Sequence, residues 1–217
     1  MEKYQTYKSQ IVECTQWLSN NGYFGALRGT GGNVSMRIEG EDAFAITPSS
    51  LPYDQLQPDD ICILDFDMKP IEGERQPSVE SGFHLVTYKN RAKINAVVHT
   101  HQVYASIFAI LNRPIPPLFD EVSLHLGTTI DVIPYALSGS SDLVENATTK
   151  LGNMCNAYLI QNHGALCMAS TLEKAWLNVE LLEKTARIYY GALSIGGEVS
   201  QLPEEIVGLL DEIRKAE

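Results

Sequence analysis

Ile94-Asn95-Ala96-Val97-Val98-His99-Thr100-His101 is the stretch on which the reading of this chain turns. Its apolar residues, two of them β-branched valines, run directly into a His-x-His pair, the pattern of a buried strand ending in two imidazoles. Side chains alternate along a strand, so His99 and His101 share a face, with Cα atoms roughly 6 to 7 Å apart. Two imidazoles so placed can converge on one ion at Zn–N distances of about 2.0 to 2.1 Å. Two polar residues that merely close a strand at the surface give the same pattern, and the pair alone does not decide. A second stretch, Ala157-Tyr158-Leu159-Ile160-Gln161-Asn162-His163-Gly164, repeats the theme of an apolar strand running into a histidine and a glycine turn. Neighbouring strands lie about 4.8 Å apart, so pairing these two brings His99, His101 and His163 together. Three protein ligands with a free position is the pattern of a catalytic metal site.

The bulk numbers narrow the setting. A chain of 217 residues buries one good core without needing a second, so residues 1–217 read as a single domain. Hydrophobic residues at 44% and charged residues at 20% are ordinary for a water-soluble domain, and no apolar run approaches the roughly 20 residues that span a bilayer. A net charge of −11 argues against a nucleic-acid partner, which requires clustered Lys and Arg. The start, Met1-Glu2-Lys3-Tyr4-Gln5, lacks the basic and apolar regions of a signal peptide, and Cys14, Cys62, Cys155 and Cys167 show no paired spacing, so a reducing cytoplasm fits best.

Outward from the histidines, the chain alternates short strands with helices. Tyr7, Ile11, Cys14 and Leu18 form the stripe of a helix over about 4–20, stopped by Asn20-Asn21-Gly22. Leu27-Arg28-Gly29-Thr30-Gly31-Gly32-Asn33 is a glycine cluster leading into an alternating segment; Ala43 to Thr47 and Ile61 to Asp65 read as further strands. Sequential short strands predict an antiparallel sheet rather than a βαβ repeat. From Pro77 a helix is expected, with Val79, Phe83 and Val86 on one stripe and Glu80 in the first turn, one turn before His84. Helices are expected over 103–111, 141–151, 171–193 and 203–215, the first of the long pair burying Trp176, Val179, Leu182 and Ala186. The prolines of 115–121 exclude a regular helix interior there.

The chemistry implied is that of a metal beside a carboxylate. An ion held by three histidines polarises a carbonyl and stabilises an enediolate, while a nearby Glu80 moves the proton. Glu80 has a structural reading too, since a carboxylate in a first helical turn suits the helix dipole. A cupin barrel also uses His-x-His, but its glutamate four or five residues on is absent: Ala105 and Ser106 stand there. His84 and His125 have no ligand spacing and read as structural. The glycine cluster and the Thr47-Pro48-Ser49-Ser50 turn offer backbone N–H groups and hydroxyls that can hold phosphate without much positive charge. A hairpin turn would account for the glycines as well.

Together these pieces resemble the class II aldolase/adducin family across nearly the whole chain. The resemblance is carried by Gly29-Thr30-Gly31-Gly32-Asn33-Val34-Ser35, Thr47-Pro48-Ser49-Ser50, Pro77-Ser78-Val79-Glu80, Val97-Val98-His99-Thr100-His101 and Gln161-Asn162-His163-Gly164, in the family's order. It implies a three-layer α/β/α sandwich around a mainly antiparallel central sheet, assembled as a homotetramer with active sites between subunits. His99, His101 and His163 would hold zinc, and Glu80 would be the acid/base that also approaches the metal at rest. Thr30, Gly32, Asn33, Ser49, Ser50 and Ser78 would hold the phosphate of a ketose 1-phosphate or of dihydroxyacetone phosphate. Manganese or cobalt suit the same ligands, and affinity order alone does not choose.

The chain also departs from the family's sugar-phosphate aldolases. Val79 stands where they carry a second serine before the glutamate, which removes a hydroxyl from the phosphate. Asp120, with Glu121 beside it, stands where they place a tyrosine from the neighbouring subunit, and the end Asp211-Glu212-Ile213-Arg214-Lys215-Ala216-Glu217 lacks their C-terminal tyrosine. The reading that results is a metal-dependent lyase that cleaves a small sugar phosphate to dihydroxyacetone phosphate and an aldehyde. A decarboxylase, epimerase or dehydratase on the same metal, with Asp120 or Glu121 as second acid/base, is the alternative; a non-catalytic adducin-like module would have no use for three histidines and Glu80 in register.

Overall fold

The structure is a computed structural model and describes residues 3–25 and 29–216. Leu27 and Arg28, read above as the approach to the glycine cluster, lie outside the described residues. Among the described residues, eight strands form one sheet in the order β4-β3-β2-β1-β5-β8-β7-β6. They are β1 (Asn33–Arg37), β2 (Ala43–Ile46), β3 (Cys62–Asp65), β4 (Pro70–Glu72), β5 (Ala96–Thr100), β6 (Val132–Ile133), β7 (Ala157–Ile160) and β8 (Gly164–Ala169). Every pairing is antiparallel except β6 with β7. The helices are α1 (Gln5–Asn20), α2 (Ser81–Asn90), α3 (Val103–Ile110), α4 (Asp120–Leu126), α5 (Ser141–Leu151), α6 (Leu172–Ile195) and α7 (Glu204–Ala216).

The sheet is buried on both faces, which is why its strands read as apolar runs. On one face Val34, Ala45, Ala96, Val98, Leu159 and Cys167 share a core with residues of α1, α3 and α6. On the other, Phe44, Val97, Tyr158, Leu166 and Met168 pack with Phe83 and Tyr88 of α2 and Leu143 and Ala147 of α5. This is the expected three-layer sandwich. Ala96 and Val98 face one layer and Val97 the other, so His99, two residues beyond Val97, falls on the side of α2.

Helix boundaries follow local chemistry. Thr171 caps α6, its hydroxyl accepting the Lys174 N–H at 3.3 Å, and Gly196 ends it in the left-handed conformation at φ 78°. Ser140 caps α5 in the same way through the Leu143 N–H. Trp176 is half-buried, while Val179, Leu182 and Ala186 are fully buried, as the stripe requires.

Two expectations are corrected. The strand ending before His163 does not pair with the His-x-His strand: β8 lies between them, with Thr100 opposite Ala165 and Ile160 opposite Gly164. Residues 164–169 continue the hairpin as a strand of their own, and His163 reaches the other histidines from the three-residue turn that starts it. The second concerns the start of α2. Pro77 to Val79 are not helical; Glu80 is the N-cap and Val79 is 66% exposed, off the buried stripe. Ser78 and Pro77 are drawn instead toward the 47–50 turn, where the Ser78 N–H donates to the Thr47 carbonyl at 3.1 Å and the Ser49 N–H to the Gln76 carbonyl at 2.9 Å.

Candidate active site

His99 leaves the end of β5 fully buried, while His101, one residue past the strand, and His163 in the β7–β8 turn are half-buried. Their ligand atoms lie within 4.8 Å of one another. The His99 Nδ1–H donates to the Ala165 carbonyl at 2.9 Å, because a carbonyl only accepts, and this turns its Nε2 toward the other two histidines. That Nε2 lies 3.0 Å from His101 Nε2 and 3.3 Å from Glu80 Oε2, while His163 Nε2 lies 3.3 Å from Glu80 Oε1. Burial, then the neighbouring imidazoles, push His101 down to about 3 and His163 down to about 4, so both rings are neutral near pH 7. Lone pairs of neutral imidazoles and a carboxylate aimed at one point are a donor set that a divalent cation satisfies.

Glycines let the backbone come this close. A Cβ on Gly31 would sit 2.6 Å from His101 Nδ1, and one on Gly164 would sit 2.2 Å from the Thr100 carbonyl oxygen and 2.7 Å from His101 Cδ2. Gly32, at φ +75°, would meet Phe24 at 2.3 Å and the His99 carbonyl at 2.6 Å. The glycine cluster is therefore the wall against which β5 and its histidines pack, not a hairpin turn.

Glu80 is 5% exposed. Its Oε2 accepts from Asn33 Nδ2–H at 2.8 Å and its Oε1 from the Ser138 hydroxyl at 2.8 Å. Burial alone would raise this carboxyl; His99 and His163, with the bonds from Asn33 and Ser138, outweigh it and hold it at about 2. Asn33 stands opposite His99 in the β1–β5 register, which is what aims its amide at Glu80. Ser138 follows β6 in a loop with no spacing signature, and sequence reasoning missed it; Gly139 beside it packs on Val79, its Cβ position 3.1 Å from the Val79 carbonyl.

Of the other expected residues, Ser49 and Ser50 share a turn, their hydroxyls 3.3 Å apart, and Ser78 is joined to that turn by the Pro48–Pro77 bridge. The Ser78 hydroxyl accepts the Glu80 N–H at 3.2 Å, and Thr30 is exposed on the glycine loop. Asp120 is exposed at the start of α4, a helix packed on α6 and α7, and the structure does not bring it to the histidines within one chain. Glu121 pairs with Lys184 at 3.0 Å. His84 is fully buried beneath Asn33 and Ser35.

Residues 9–190 match the family described as Class II Aldolase and Adducin N-terminal domain. The chain belongs to the class II aldolase/adducin family. Among members of this family, it is 38% identical over 181 residues to 5-deoxy-D-ribulose 1-phosphate aldolase of Bacillus thuringiensis serovar kurstaki, covering 83% of this chain and 84% of that one. It is also 38% identical over 189 residues to L-fuculose phosphate aldolase of Escherichia coli strain K12, covering 87% of this chain and 86% of that one. A solved structure of L-fuculose 1-phosphate aldolase superposes with a TM-score of 0.90 at 33% identity, over 97% of this chain and 96% of that one. The three-layer fold is thus the family's fold. Among the described residues no helix is long and apolar enough to cross a membrane, and all four cysteines are free and buried.

Proposed function

We propose that the protein is a metal-dependent lyase that cleaves a small ketose 1-phosphate to dihydroxyacetone phosphate and an aldehyde. The observation that carries this reading is the convergence of three imidazoles on the carboxylate of Glu80, in a chain whose relatives are aldolases of sugar phosphates. His99, His101 and His163 would hold the cation, zinc by family norm, with Glu80 as a further ligand at rest. A cation there supplies a Lewis acid that polarises the ketone and stabilises the negative charge left when the carbon–carbon bond breaks.

The chain's own groups account for the rest. The C3–C4 bond of the ketose breaks, the C4 hydroxyl loses its proton as the aldehyde forms, and C3 gains one. Glu80, ionised at rest, takes up the C4 hydroxyl proton and delivers it to C3 in cleavage, and runs the same transfer backwards in condensation. Oε1 is the oxygen suited to carry it, because the Ser138 hydroxyl can turn from donor to acceptor, whereas the Asn33 amide N–H on Oε2 only donates. Ser49, Ser50 and Ser78, tied together by the Pro48–Pro77 bridge, with Thr30 and Gly32 of the glycine loop and Asn33 at the start of β1, would take the phosphate.

Asp120 would act only from a partner subunit, since within one chain it is not among the groups that gather at His99, His101 and His163. This fits a homotetramer with sites between subunits, in the cytoplasm. A second reading keeps the metal and changes the bond, as in a decarboxylase or epimerase; it is motivated by Val79, whose exposed side chain offers the phosphate no hydroxyl. Screening ketose 1-phosphates for released dihydroxyacetone phosphate, beside β-keto acids for released carbon dioxide, separates the two. Release of carbon dioxide alone would end the lyase reading.

A further inference from the structure

From Asn33, the donor to the Glu80 carboxylate, a run of buried polar groups leads away from the site between β1 and α2. Asn33 Nδ2 donates to Glu80 Oε2 at 2.8 Å, Asn33 Oδ1 contacts His84 Nε2, His84 Nδ1 lies 2.6 Å from Ser35 Oγ, and Ser35 Oγ lies 2.6 Å from the Tyr88 hydroxyl. Asn33, Ser35, His84 and Tyr88 are all at most 4% exposed. Asn33 and Ser35 are two residues apart on β1 and so share its α2-facing side; His84 and Tyr88 are one turn apart on α2. The two periodicities set the four side chains in line.

The direction of each bond follows from the end that cannot vary. An ionised carboxylate only accepts, so Asn33 must present its N–H to Glu80 and its oxygen to His84. That oxygen needs a donor, so His84 carries its proton on Nε2. Nδ1 is then bare and takes the Ser35 hydroxyl proton, and the Ser35 oxygen accepts from Tyr88. With the buried His84 ring neutral, this is the arrangement that gives every contact in the run one donor and one acceptor.

We propose that His84 is a positioning residue, fixed as the Nε2–H tautomer by Ser35 and Tyr88, which locks the Asn33 amide so that its N–H and never its oxygen faces Glu80. It rests on the reading of Glu80 as the proton-transfer residue. Without the lock, the amide can rotate by 180° and set an oxygen lone pair against the carboxylate. Glu80 then loses the donor that holds Oε2 in place, and its oxygens are no longer distinguished.

The test uses the metal-loaded protein. Long-range proton–nitrogen NMR correlations should show His84 as the neutral Nε2–H tautomer; an Nδ1–H ring or an imidazolium overturns the proposal. This measurement is independent of any substrate and of whether a variant folds. In kinetics with the ketose 1-phosphate that the wild type cleaves, His84→Leu should keep wild-type metal content and lose about 10 to 100-fold in kcat, the usual effect of removing a group that orients a metal-site residue. His84→Gln, whose amide N–H can replace Nε2–H, should recover most of that loss. Wild-type kcat in a folded, metal-replete His84→Leu overturns the proposal, as does a His84→Gln no better than His84→Leu. If the wild type cleaves no ketose 1-phosphate yet shows the Nε2–H tautomer, the lyase reading fails and the locked amide is supported.

Discussion

Replacing Glu80 by Gln tests the centre of the mechanism with least disturbance to its surroundings. Gln has the same shape and keeps one carbonyl oxygen, which will face the Asn33 N–H. Its amide nitrogen will then face Ser138, which can rotate to accept. Both bonds survive in neutral form, at about 0.5–1.5 kcal/mol each instead of about 1.5–3 for bonds to a charge. Burial of an ion is relieved at the same time, so the stability change is expected within about 1–3 kcal/mol, a shift of no more than about 12 °C in a domain of this size. Activity has no such compensation, because an amide cannot shuttle a proton; a loss of about 10² to 10⁴ in kcat follows. The direct assay is exchange of dihydroxyacetone phosphate C–H for deuterium in heavy water, followed by NMR, with metal content measured on the same sample. The reasoning is refuted by a folded, metal-replete Glu80→Gln that exchanges within tenfold of the wild type.

Three further outcomes are expected. Removal of metal by a chelator should abolish turnover and lower Tm: an ion present at about 1,000 times its Kd contributes about 4 kcal/mol, or about 8–16 °C here. Gly164→Ala must push apart the turn and the end of β5, since its Cβ falls on the Thr100 carbonyl and His101; overpacking of about 1–3 kcal/mol and metal affinity reduced at least tenfold should appear in denaturant melts and metal titration. Metal-free protein should lose stability in mild acid. Burial, then His99, holds folded His84 down at about 3 from an ordinary 6.5, so the unfolded chain binds the extra proton; stability is full above about pH 6.5 and falls as pH drops toward 3. His84 alone contributes a loss of about 2 kcal/mol by pH 5, and His101 and His163 add in the same direction. A Tm flat between pH 7 and 5 contradicts this.

Most of the fold was legible because burial writes periodicity into sequence. The stripe of α6, the alternating segment of β1 and the apolar run of β5 gave all three elements within a few residues. The histidines were legible because ligand spacing is a local property. The link between β5 and His163 was not: a strand of small and apolar residues, Gly164 to Ala169, carries no alternation that separates it from the turn before it, so the two histidine strands looked like direct neighbours. Ser138 was hidden for another reason. Its contact with Glu80 spans 58 positions and depends on a loop path that no local pattern encodes. His84 was visible as a turn-mate of Glu80, but its neighbours on β1 come into play only once the sheet is assembled over α2.

The loop that supplies Ser138 also carries Tyr135 and Leu137, which with Val79 are the exposed apolar side chains nearest in sequence to Glu80 and its hydroxyl partner, at 56%, 70% and 66% exposure. Gly139 fastens that loop to the backbone of Val79. Whatever these side chains meet is thereby geared to the support of the Glu80 carboxylate. On the lyase reading, selection for a new substrate tail through this loop would therefore move turnover along with preference, and gains in selectivity here would need compensating changes on the Asn33 side of Glu80.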